Sequence, residues 1–449
     1  MRNQMKKILS LSTMLLLLGV RSYGQAAPSA TVQQTPTPAA SAGPKLSWVD
    51  GTVHYALSAT ELFQFGYYGS GNMTTTTALS GNVGYVTLSQ THPFSLIYAG
   101  GLLIGQGGQG TSTYHNIMAS QQLIKGKWVM GITDSFSFLP QSPTVGVAGI
   151  SGIGLIGTLP GQGPSEGPAG GVLTYSNNRI GNTVSGNIER LLTGKTSVSA
   201  VGSHSILHFI NDNAGLDTRS ITGQVALNHR INVRNSVSVS AVYSTYQTNN
   251  IYNNLPGYPY NNITYQTKGI NGTYMRQWTR SLATDISAGP QWVQSSSAQL
   301  VPNRLNTYIN GGLTYTRQVG SFGLRYTRGV NNGSGAFAGA IGDSVSASFN
   351  RAITRDWAVS SWVSYTHTTG LLYTTAQSTV GNDGAINTEY GTVQLTHGFS
   401  RTISGYVSYS AQNQDVNSRL AAQNVFNGLS HTVAIGVTWA PRSTRLGDF

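Results

Sequence analysis

Three groupings in this sequence have residue types and spacings that could do chemistry. Gly152-Ile-Gly154-Leu-Ile-Gly157 matches the letters of a GxGxxG phosphate cradle. That chemistry needs a strand before it, a helix after it and an acidic residue about twenty positions on. Here Thr158-Leu-Pro160 follows and position 177 is Asn, so no nucleotide site is expected. His204 and His208 have the spacing of a helical metal pair, but on a strand it separates their Cα atoms by about 13 Å. With nine His, no Cys and 14 acidic residues, no metal-ligand spacing emerges. Serines are too numerous to single out a nucleophile, and no Ser–His or Asp–His pair stands out as a rim hydrolase would require. The reading is of a non-enzyme without metal or cofactor.

The elements that carry these residues are strands. In Asn306–Val330, Ile309, Gly311, Leu313, Tyr315, Arg317 and Val319 fall on one face. Asn310, Gly312, Thr314, Thr316 and Gln318 fall on the other. After a tight turn, Phe322, Leu324 and Tyr326 resume the apolar face against Gly323, Arg325 and Thr327. Side chains alternate across a strand, so this is an antiparallel hairpin with one apolar and one small polar face.

Composition says which surroundings suit such strands. Only 9% of the 449 residues are charged, against about 25% in an average soluble protein. Polarity comes instead from Ser, Thr, Asn, Gln and 55 Gly, as expected where one face wets a lumen and the other meets lipid. A mean hydropathy of −0.12 is the average of two such faces. The formal charge is +12, but Arg2, Lys6, Lys7 and Arg21 lie in the N-terminal segment and the other basic residues are scattered. Nucleic-acid binding needs a concentrated basic footprint, so it is not expected.

Met1–Ala26 has a basic start, an apolar Ile8–Val20 and small residues after it, which predicts a signal peptide cleaved after Gly24 or Ala26. Residues 27–46 are rich in Pro, Ala and Thr and are expected to be a disordered linker. Residues 47–440 are read as one all-β domain, a transmembrane antiparallel up-and-down barrel of about 18 strands (16–18), and 441–449 as a tail. Short connections, such as Thr193–Lys195 and Thr354–Asp356, alternate with long Gly/Asn/Pro-rich ones. Short turns at one rim and long loops at the other are the outer-membrane pattern, and both termini fall on the short-turn, periplasmic side. Thr52–Tyr68, Lys127–Phe138 and Lys195–His208 alternate less cleanly.

Six strands place a basic residue on the apolar stripe, one pleat before its last apolar residue: Arg190, His229, Arg276, Arg317, Arg351 and His397. A cation is costly at the bilayer centre and cheap at its edge, so these predict an outward belt at the periplasmic interface touching lipid phosphates. Glu189, Arg230, Asp285 and Arg325, with Asp356, are assigned to the lumen. Such sparse charge implies weak ion selectivity in a barrel wide enough for an aqueous channel. The longest loop, 139–178, is apolar, carries Glu166 and includes Gly152, Gly154 and Gly157. It is expected either to fold inward as a constriction or to remain outside. Trp439 ends the last clean strand and Phe449 ends the chain, and both are candidate signals for the barrel assembly machinery.

Leu139-Pro-Gln-Ser-Pro143, Ser287-Ala-Gly-Pro-Gln-Trp292, Gly329-Val-Asn-Asn-Gly-Ser-Gly335 and Ala411-Gln-Asn-Gln414 give the chain a resemblance to uncharacterised, porin-like outer-membrane β-barrel proteins of Acidobacteria. The resemblance runs from Leu46 to Phe449 and implies fold and location, not a ligand. Two functions follow as expectations. One is passive diffusion of small hydrophilic solutes through the outer membrane, with lipids as partners and a trimer among the possible oligomeric states. The other is a plugged or structural barrel serving adhesion or exopolysaccharide export.

Overall fold

The computed structural model describes residues 51–66, 73–87, 89, 91–105, 110–140, 178–210, 216–249, 262–295, 301, 303–333, 336–371, 385–417, 425–441 and 444–446. No helix among the described residues is long and apolar enough to cross a membrane. The chain alternates in strands instead. These are β1 Gly51–Phe65, β2 Thr74–Thr87, β3 Phe94–Ile104, β4 Thr111–Lys125, β5 Trp128–Pro140 and β6 Asn178–Leu191. Next come β7 Thr196–Phe209, β8 Asp217–Arg230, β9 Asn235–Asn249, β10 Ile263–Gln277, β11 Leu282–Ser295 and β12 Arg304–Arg317. The last are β13 Gly320–Asn331, β14 Ala340–Ala352, β15 Trp357–Gly370, β16 Ala385–Gly398, β17 Ile403–Asn417, β18 Gly428–Trp439 and the short β19 Thr444–Leu446.

Each of the eighteen long strands pairs antiparallel with its sequence neighbours, and β18 pairs with β1 from Leu57↔Trp439 to Phe65↔His431. The sheet is therefore a closed up-and-down barrel with no free edge, and its even strand number brings both ends of the sheet to the short-turn rim. β1 is one continuous strand. β5 and β7 are regular strands too; their alternation is blurred because polar Asp134 and His204 sit among apolar neighbours, while Val201 sits among serines. Closure does not stop at Trp439. Thr444–Leu446, expected within a tail, pair with Val53–Gly51 at the base of β1.

Five short turns share one device. Leu192, Ile231, Trp278, Ile353 and Phe399 each donate their amide to the first residue of the next strand, closing four-residue turns. The side-chain oxygen of the following Thr193, Asn232, Thr279, Thr354 or Ser400 then accepts two amides two and three positions on. These amides point out of the ladder and would otherwise rely on water, which is why Ser, Thr and Asn recur there.

Register also fixes the tilt. The row through Leu57 runs to Gly81, Gly100, His115, Phe138, Ile180 and His208. Leu57 stands six residues above the base of β1, and His208 twelve above the base of β7. Rows therefore climb about one residue per strand, as strands tilted by about 35–45° require.

Candidate translocation lumen

A closed sheet shields its concave face, and burial sorts the two parities accordingly. Leu57, Val83, Val239, Ile270, Ile286, Leu324 and Ile435 are exposed on one parity, while Thr60, Asn82, Ser240, Thr267, Asn271, Ser408 and Thr432 are buried on the other. The inner wall is thus rich in hydroxyls and amides, with an apolar cluster of Leu62, Ala78, Leu103, Tyr114 and Ala434 on the side of β1–β4 and β18. Cross-strand pairs satisfy many of them, including Thr222–Ser244 and Thr273–Ser287 at 3.0 Å and Thr366–Ser344 at 3.2 Å. Hydroxyls paired in this way make the wall polar without adding charge of their own.

The wall's main charge pair spans three strands. Asp285, Gly312 and Arg325 occupy one row of β11, β12 and β13. Arg325 reaches across the glycine to 3.8 Å from Asp285 and donates to Asn310 Oδ1 at 2.8 Å. A Cβ at Gly312 would lie 2.5 Å from the Asp285 carboxylate and 3.2 Å from the guanidinium, so the glycine holds the gap open. Glu189 shares the inward parity near the base of β6. Arg230 sits lower, at the rim, where its guanidinium donates to the Gly194 carbonyl at 3.0 Å. Asp356 lies in the exposed 353–356 turn rather than on the wall. The wall is not uniform. Val201 and Met275 face inward yet remain exposed, whereas Thr60, Gln64, Thr76, Gln412 and Thr438 are almost fully buried. Burial is strong on both sides, with Ser240, Ser244 and Thr267 nearly covered on β9 and β10 as well.

At the loop end, the β13–β14 connection folds inward. Asn331 Oδ1 accepts the Gly333 amide, and Gly333 O accepts the amides of Ala336 and Phe337. Gly333 and Gly339 take φ of 75° and 90°, which lets the chain double back; a Cβ at Gly339 would strike the Tyr265 ring at 2.7 Å. Ala336, Phe337 and Ala338 are buried in a cluster with Tyr265, Val293, Leu371 and Ile386. Tyr265 stacks on Tyr246 at 4.9 Å and donates to Asn331 O, while Asn332 donates to Thr218 on β8. The segment therefore spans from the inner wall of β8–β11 to that of β15–β16. By sequence this stretch is one of the long Gly/Asn-rich connections at the loop end. Its signal was the run Ala336-Phe-Ala-Gly-Ala-Ile341, with no polar side chain for a loop facing water. The expected constriction candidates Gly152, Gly154, Gly157 and Glu166 lie outside the described residues.

The six basic residues of the expected belt share the outward parity near the short-turn ends of β6, β8, β10, β12, β14 and β16. Several lie against aromatic rings: Arg190 is 5.1 Å from Trp128, Arg276 is 3.8 Å from Trp278 and Arg317 is 5.7 Å from Tyr315. His397 lies tilted against Trp357 with ring centroids 4.3 Å apart, and His229 shares a hydrogen bond with Thr196. Trp439 stands at the same height, edge-on to Tyr55; Phe449 is outside the described residues. A second outward polar ring occurs at the loop end and was not anticipated. It contains Arg328 bonded to Asp343, Tyr98 bonded to His115 and Tyr409 bonded to His431. His204 and His208 belong to this outer region with separate partners, Arg219 and Asp217. No group of three or more metal-ligating side chains occurs among the described residues.

No family model matches the chain, and no curated protein matches it. Solved structures from Pseudomonas aeruginosa are similar to it. The outer membrane protein OpdK has a TM-score of 0.43 and 10% identity, covering 88% of this chain and 99% of that one. OccK2 (OpdF) in complex with glucuronate has 0.41 and 8%, covering 87% and 98%. OprD has 0.38 and 10%, covering 87% and 95%.

Proposed function

We propose that the protein is an outer-membrane channel for passive diffusion of small hydrophilic solutes. The observation that carries this reading is the polar inner wall of a closed eighteen-strand barrel, narrowed at the loop end by Ala336, Phe337 and Ala338. Such a barrel is wide enough to hold water. On its outside, apolar side chains lie between a basic and aromatic ring below and a polar ring above, as lipid requires. In this reading the Arg/His belt meets lipid phosphates, the Asp285–Arg325 pair confers only weak ion selectivity, and Trp439 on the closing strand is read by the assembly machinery.

The near-complete burial of the β17–β2 inner wall supports a second reading, a plugged barrel serving adhesion or polymer export. Purified protein in a planar bilayer separates the two. Ohmic steps of conductance are expected for the channel, whereas silence in an inserted, heat-modifiable barrel would overturn it in favour of the plug.

A further inference from the structure

Trp362 is an aromatic side chain that the lipid interfaces do not explain. Trp128, Trp278, Trp292, Trp357 and Trp439 are exposed near the two ends of the outward face, where such interfaces favour them. Trp362 instead has the inward parity. It pairs with Ser348, and Ser346 on the same face of β14 pairs with the lumen residue Arg325. Trp362 stands five residues above the start of β15, and Arg325 five above the start of β13. The indole N–H is shielded from solvent and has no acceptor among the described residues, although the residue as a whole is only half-buried. What the lumen meets is therefore the carbon surface of the ring.

Between Trp362 and Arg325 the wall carries only small side chains. The two positions are separated by two strand spacings and two residues, about 12 Å along the sheet. β14 crosses this interval with Ser346 and Ser348, and Gly323 lies beside Ser348 on β13, where a Cβ would come 2.7 Å from the serine Oγ. Tyr390 on β16 pairs with Ser364 and enlarges the aromatic side. All of these residues are partly exposed, so the recess is open to the lumen. An aromatic face stands at one end of a floor of hydroxyls, and the Asp285–Arg325 pair with Asn310 stands at the other.

We propose that this recess binds an uncharged, ring-form sugar on the solute path. The proposal rests on the channel reading and names its solute class. A sugar ring has an apolar face of C–H groups and a rim of hydroxyls, each able to donate and to accept. The indole covers the face, while a carboxylate, a guanidinium and serine hydroxyls serve the rim. The two charges of the pair cancel at a distance, so the site supplies strong hydrogen bonds without favouring a charged solute. The interval between Trp362 and Arg325 leaves room for one ring laid against the indole with its rim towards the pair.

The test is block of single-channel current in planar bilayers, with maltose as the probe. Wild type should show reversible block that saturates with concentration. Sorbitol, which has the hydroxyls but no ring face, should block far less at equal concentration. Covering about 60 Å² of apolar sugar face is worth about tenfold in affinity, so Trp362→Ala should weaken the block by about that factor. Trp362→Phe, which keeps an aromatic face, should retain most of it, and Val201→Ala on the opposite wall should leave it unchanged. If Trp362→Ala does not fold, Ser346→Trp decides, because it fills the floor and should abolish the block. Steps that maltose does not interrupt, equal block by sorbitol, equal block in wild type and the Trp362 or Ser346 variant, or an equal loss from Val201→Ala would overturn the sugar site alone. Silence of an inserted barrel would sink the channel reading, and the site with it.

Discussion

Asp285 and Arg325 owe their pairing to the residue between them, since Gly312 supplies the only side-chain-free position over which they meet. In a water-filled lumen a unit charge about 7 Å from a passing ion acts on it with about 0.6 kcal/mol, close to RT. The two charges act in opposite senses on the same ion, which leaves the wild-type wall weakly selective. Removing one exposes the other. Asp285→Asn is expected to shift the reversal potential in a KCl gradient towards anions, and Arg325→Gln towards cations, each by about threefold in permeability ratio. Shifts of the same sign would show that the pair does not line the path. Both residues were legible in the sequence by parity, because a charge among Thr, Asn and Gly on one face of a strand has no lipid reading. Their contact was not legible. It depends on the register of three strands, which alternation alone does not fix.

At the scale of elements, belt and turn prove to be one repeated unit. Arg190-Leu-Leu192-Thr193, His229-Arg-Ile231-Asn232, Arg276-Gln-Trp278-Thr279, Arg351-Ala-Ile353-Thr354 and His397-Gly-Phe399-Ser400 each end a strand with a cation, an apolar residue and a capping oxygen. The cation was legible as a break in the apolar stripe, and the turn as a short polar connection; the cap's double acceptance emerges only with the backbone geometry. Replacing Thr279 with Val should cost about 1 kcal/mol, and the five replacements together several times that, read as urea midpoints for unfolding from vesicles. An unchanged midpoint in the fivefold variant would show that water serves these amides equally well. The loop-end element is a different case. In the sequence, 331–341 is one of the long Gly/Asn-rich connections, and nothing local tells which way an apolar loop folds. Tyr265, Tyr246 and Ile386 settle it, and they are distant in sequence. Phe337→Ala removes a ring from a closed cluster, a loss of about 3–5 kcal/mol at a site that does not collapse. The expected outcome is a barrel that stays folded with larger conductance steps, and deletion of 333–338 should enlarge them further. Equal step sizes in all three proteins would remove this segment from the solute path.

For the whole molecule, the two outward rings define the slab in which it sits. Trp128 to Phe138 on β5, and Tyr55 to Phe65 on β1, are ten residues apart. At about 3.3 Å per residue and a tilt near 40°, that is a height of about 25 Å, the apolar band of an outer-membrane barrel. A substitution should therefore be felt according to its height rather than its exposure, since every outward side chain is exposed to some degree. Ile286 lies on β11 near mid-height, half exposed, between Tyr274 on β10 and Gly311 on β12. Arg276 lies on the adjacent strand, β10, close to its short-turn end, against the Trp278 ring. Ile286→Arg is expected to lower stability in phosphatidylcholine vesicles by about 2–4 kcal/mol, while Arg276→Ala, at the interface, should cost about 1 kcal/mol or less. In detergent micelles, which deform around a misplaced charge, the first effect should shrink and the second stay small. If Ile286→Arg is silent in vesicles, the band does not meet lipid at that height, and the two rings are not its edges.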